Sequence, residues 1–133
     1  YNENIKKFAL MSGGKMVITD ENKNVLVDNI SLALNQGGFS VSSLTADDKY
    51  IYVSYVRNNV NDVPFKVFTW DGKLVSTTTI NGVTLGKNGT ADRNFNLQTV
   101  FTHNDKIYAS VCSWDSGSKY YLFSVDFDTT NLE

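Results

Sequence analysis

The chain is poor in the residues that staple, kink or charge a protein. Among 133 residues there are one cysteine, one proline and one histidine. A single Cys112 excludes an internal disulfide and any CxxC metal knuckle. Lying in an apolar run, it reads as a buried, inert thiol. The lone His103 has no second histidine for a metal site and no Ser-His-Asp arrangement within the chain. No apolar run reaches the ~18 residues that a helical membrane span needs. Charge of one sign is lacking too: 12 Lys and Arg are scattered among 14 Asp and Glu, for a net charge of −2. That argues against a nucleic-acid surface, which needs a concentrated basic stripe. The segment GKNGT (86–90) lacks the spacing and the following helix of a phosphate loop. No metal site, cofactor or catalytic set emerges. The chain begins at Tyr1 with neither an initiator Met nor a signal peptide, as a processed or excised segment would.

What is present is apolar and aromatic. Hydrophobic residues make up 41% and aromatics 13%, enough for a real core in one domain. Period-two alternation dominates, and helical periodicity is nearly absent. It predicts strands at 5–11, 15–19, 25–30, 39–44, 50–56, 65–70, 74–80, 95–101, 107–114 and 120–125. Between them stand the turn signals SGG, ENKN, TADDK, DGK and HND, rich in residues that tolerate tight turns. Short strands at this spacing predict an all-β fold.

The chain also repeats itself. DDKYIYVSYV (47–56) returns as NDKIYASVCSW (104–114), so that Phe39, Ile51, Tyr52 and Ser54 match Phe95, Ile107, Tyr108 and Ser110, 56 positions on. After a one-residue shift Val67, Phe68, Thr69 and Asp71 face Leu122, Phe123, Ser124 and Asp126. A weaker copy, KMVITDENKNVLV (15–27), precedes FKVFTWDGKLV (65–75) by about 50 positions. A period of this length, made of four short strands, is the mark of a β-propeller blade. With the strands of a blade named a to d, the chain reads bcd-abcd-abc. That is a partial blade over 1–34, a complete one over 35–94 with a long 81–94 loop, and a partial one over 95–133. A ring needs at least four blades, and open apolar edge strands are an aggregation hazard. The expectation is therefore a piece of a larger propeller or of one completed by other chains. A small β-sandwich of the same ten strands is the rival.

The middle copy resembles an NHL-type or related propeller repeat, on Gly38, Asp47, Asp48, Ile51, Tyr52, Val53, Val67, Phe68, Asp71, Gly72 and Lys73. The likeness departs at 81–94, which is too long, and in the last copy, where DGK has become DFD. It implies a fold more than a function. The Asn-rich, aromatic blades with their WDG turn also look like propeller modules in tail receptor-binding proteins of phages that infect low-GC Gram-positive bacteria. That likeness implies an extracellular or virion-surface setting.

Topology suggests where a site lies. With strands alternating up and down, the a–b and c–d turns share one side, and here they are terse. The b–c and d–a connections share the other: RNNVNDV (57–63), SWDSGSK (113–119) and NGVTLGKNGTADRN (81–94). Long connections on one side of a rigid scaffold are where binding concentrates. The candidate ligand-binding residues are Arg57, Asn58, Asn59, Asn61, Asp62, Lys87, Asn88, Asp92, Arg93, Trp114, Asp115 and Lys119. Trp114 suits stacking on a sugar ring, and the amide and charged groups suit hydroxyls or phosphate. The bland reading makes them solvated loop residues, with Trp114 packed at a blade rim.

SWDSGSKYY (113–121) is similar to the Asp-box of sialidases, which implies a turn folded around the Asp115 side chain and not a catalytic group. Sialidase chemistry needs three arginines and a Tyr–Glu pair, and the chain has only Arg57 and Arg93. His103 reads as a turn residue, and Asp47, Asp48, Asp126 and Asp128 as turn-formers on the same side. A calcium site there is the rarer alternative. Asn29-Ile30-Ser31 and Asn88-Gly89-Thr90 fit the glycosylation sequon, of use only on a eukaryotic secretory route.

The sequence thus points to a non-catalytic binding module whose partners are a glycan or cell-wall polymer and the remaining blades. Its rivals are part of a propeller hydrolase or lyase with catalytic residues outside this chain, and a structural propeller that docks proteins.

Overall fold

The computed structural model describes residues 1–34, 40–56, 63–80, 95–104, 106–113 and 119–125. Among them are ten strands and no helix: β1 (Lys7–Ser12), β2 (Lys15–Asp20), β3 (Val25–Ser31), β4 (Ser40–Ala46), β5 (Tyr50–Val56), β6 (Val63–Thr69), β7 (Leu74–Ile80), β8 (Phe95–His103), β9 (Lys106–Ser113) and β10 (Lys119–Val125). They form three antiparallel meanders, β1-β2-β3, β4-β5-β6-β7 and β8-β9-β10, hereafter the first, middle and last sheets. The fold is all-β, as the alternation predicts. β1 begins two residues later than expected, because Asn2 pairs with Lys7 and the chain turns between them, with Lys6 at a φ of 56°. His103 is the last residue of β8, paired with Lys106, and not within the turn itself.

The first and middle sheets pack face to face. Met16 and Ile18 of β2, Ile30 of β3 and Leu32 just beyond meet Ile51, Val53 and Tyr55 of β5, Phe68 of β6 and Trp70. Burying a side chain of this kind contributes roughly 1.5–3 kcal/mol. Alternation explains who takes part: Ile51 pairs with Phe68, so both point toward the first sheet. Tyr52 pairs with Val67 and Ser54 with Phe65, so these four point the other way, and they too are buried. β8 lies against β4 and β5. The middle sheet is covered on both faces, which is why Ile51 to Tyr55 of β5 form an unbroken buried run and not a half-polar one.

Polar atoms at this interface find partners. Tyr55 donates its hydroxyl to the Leu32 carbonyl at 2.6 Å, and Lys66 Nζ reaches the Ala33 carbonyl at 2.6 Å. Trp70 Nε1 donates to the Asp47 carbonyl at 2.8 Å. Gly72 sits where β3 crosses over it: a Cβ there would stand 2.8 Å from Val27 Cγ1 and 2.9 Å from Ile30 Cδ1.

The sheets repeat down to their irregularities. The β2–β3 turn closes with Asp20 N–H to Asn24 O and Lys23 N–H to Asp20 O; the β6–β7 turn closes with Thr69 N–H to Lys73 O and Gly72 N–H to Thr69 O. Lys23 and Gly72 share a left-handed backbone, with φ of 67° and 82°. A bulge follows each turn at the same place, between Ile18 and Thr19 and between Val67 and Phe68. β4 and β8 share another, between Val41 and Ser43 and between Leu97 and Thr99. Bulges are specific devices, so their recurrence marks true repeats.

Pairing also corrects the alignment of the copies. The turns match Asp20 to Thr69, an interval of 49 residues where the sequence likeness suggested about 50. Ser124 pairs with Tyr108 as Val67 pairs with Tyr52, so Ser124, and not Leu122, is the counterpart of Val67. Register follows the cross-strand partner, and connections of unequal length let similar letters slide past it.

Candidate functional site

An open groove of about 870 Å³ lies at one end of the strands, lined by Tyr1–Asn4, Ala46–Lys49, His103 and Asn104. It draws one element from each sheet: the turn before β1, the β4–β5 turn and the start of the β8–β9 turn. The end of β4 therefore lies beside the end of β8, and the two adjacent strands run the same way.

Two aspartates organise the groove wall. Asp47 Oδ1 accepts the Lys49 and Tyr50 amides at 2.8 and 2.7 Å, and Oδ2 accepts the Tyr52 hydroxyl at 2.9 Å. This is the side chain bonding the backbone just ahead of it that favours Asp in turns. Asp48 points to the amino-terminal turn: Asn2 Nδ2 donates to its Oδ1 at 2.9 Å, and Asn4 Nδ2 reaches both oxygens at 3.1 and 3.2 Å. The Asn2 side chain, backed by Asn4, holds the Asp48 carboxyl below its usual value of 3.8. Tyr1 stacks its ring on Phe8, with centroids 4.4 Å apart, while 61% of its surface stays exposed. Asn104 Nδ2 lies 3.2 Å from His103 Nε2.

The groove is rich in amides, and its two organising carboxylates already serve as acceptors for the protein's own donors. Among the described residues no three of His, Cys, Asp and Glu gather as a metal cage. Asp126 and Asp128, read from the sequence as neighbours of Asp47 and Asp48, lie outside the described residues.

The groove is at the terse end, not where the sequence points. Arg57, Asn58, Asn59, Asn61, Asp62, Lys87, Asn88, Asp92, Arg93, Trp114 and Asp115 all lie outside the described residues. Lys119 opens β10, its backbone opposite Ser113, which in turn faces Phe95 of β8. The connections that carry the candidates join Val56 to Val63, Ile80 to Phe95 and Ser113 to Lys119. Each of these strand ends is at the far end of its strand from the groove. Sequence reasoning treated the terse turns as scaffold and so missed the groove. The available signal was the common position of TADDK and HND in the repeat, which sets equivalent turns side by side once the sheets stack. Asn29, the first sequon residue, is exposed and takes a contact from Lys15 Nζ.

Compared with models of known families, with curated proteins and with solved structures, the chain finds no match.

Proposed function

We propose that this chain is a β-propeller segment acting as a non-catalytic binding module, whose long-connection end takes a carbohydrate or cell-wall polymer at an extracellular or virion surface. The observation that carries the reading is the convergence of three equivalent turns, one from each sheet, on a single groove. Sheets that succeed one another around an axis do this, with their innermost strands parallel and adjacent, as β4 and β8 are. A sandwich of two facing sheets gives no reason for equivalent turns of three sheets to meet.

Ligand binding belongs to the other end for a chemical reason. At the groove, Asp47 and Asp48 are taken up by backbone amides, a tyrosine hydroxyl and two asparagine side chains. The long connections carry Trp114 with arginines, lysines and amides that suit a polyol or anionic polymer. The test is binding to an immobilised panel of glycans and wall polymers. Trp114→Ala and deletion of 83–92 each abolish binding while the far-ultraviolet spectrum stays unchanged. Binding that survives both changes rejects this end as the site.

A further inference from the structure

We draw no further inference here: the strongest candidate, the apolar outer face of the first sheet, where Leu10 and Val25 stand 47% and 59% exposed, carries nothing because nothing in the structure shows what covers it.

Discussion

Asn2 and Asp47 do the same work in two different sheets. Each donates its backbone N–H to the first residue of the following strand, Asn2 to Lys7 at 3.0 Å and Asp47 to Tyr50 at 3.0 Å. Each then folds its side-chain oxygen back onto the amides two and three residues ahead. Asn2 Oδ1 takes Asn4 and Ile5 at 2.9 and 3.2 Å; Asp47 Oδ1 takes Lys49 and Tyr50 at 2.8 and 2.7 Å. The amino-terminal turn is therefore a copy of the β4–β5 turn, lengthened by two residues, and Asn2 stands where Asp47 stands in the middle sheet. His103 ends β8, so a turn from each of the three sheets lines one groove.

Asp47 has the larger share of the load, because its second oxygen also takes the buried Tyr52 hydroxyl and its carbonyl takes Trp70. Asp47→Ala should cost about 2–3 kcal/mol, on the scale of about 1 kcal/mol for each of the side-chain bonds to Lys49, Tyr50 and Tyr52. Asn2→Ala also gives up three side-chain bonds, but two of them are exposed to water, and it should cost less. Urea unfolding followed through tryptophan fluorescence measures both. Equal costs would mean that the Tyr52 contact adds nothing.

Gly72 and Lys23 make a matched pair for a second test. Gly72→Ala adds a Cβ 2.8 Å from Val27 at a φ of 82° and should cost about 1–3 kcal/mol through strain and overpacking. Lys23→Ala, at a φ of 67° but on the exposed turn of the first sheet, should change stability by less than about 0.5 kcal/mol. The same denaturant midpoints report the difference.

Tyr55 sets the alkaline limit. Burial beneath the first sheet pushes its phenol up to about 12 from the ordinary 10.0. A raised folded pKa means that the neutral form is favoured by folding. Its contribution is whole below 10.0 and is lost as pH rises through about 12. Melting temperature should fall across that window, and Tyr55→Phe should flatten the fall. The same variant should lose about 1 kcal/mol at neutral pH, because the Leu32 carbonyl loses its donor.

Asp48 sets a limit on the acid side, with the opposite sign. Its carboxyl is held below 3.8 by Asn2 and Asn4, so its contribution is present above the unfolded value and lost as pH falls through the lower folded one. Asp20, lowered by the Asn24 side chain in the β2–β3 turn, behaves alike. Melting curves below pH 4 should show Asp48→Asn with a shallower acid decline than the wild type.

The strands were legible because alternation and turn residues agree: Lys15 to Asp20 and Tyr50 to Val56 sit within a residue of where the pattern puts them. The grouping of strands was legible as well, since the repeat assigns three, four and three, as the sheets have it. Register was not. Val67 and Leu122 look alike, yet pairing with Tyr52 and Tyr108 joins Val67 to Ser124, because hydrogen bonding between strands ignores side-chain identity. The groove was hidden for another reason. Asn2, Asp48 and Asn104 are far apart in the chain, and only stacking of the sheets brings them to one wall. Nor does Asn2 look like Asp47 until the two side chains are seen folding back on their own amides.

The central claim, that equivalent corners of three sheets meet side by side, is tested most directly by paramagnetic relaxation. A nitroxide on Lys49→Cys, in a Cys112→Ser background, sits on the exposed β4–β5 turn. The account predicts the strongest broadening at the amides of Tyr1–Asn4 and of His103 and Asn104, with Phe95, Ser113 and Lys119 at the opposite end spared. Strong broadening at Phe95 and Lys119 with His103 untouched would mean that β4 and β8 run in opposite directions, and would contradict it.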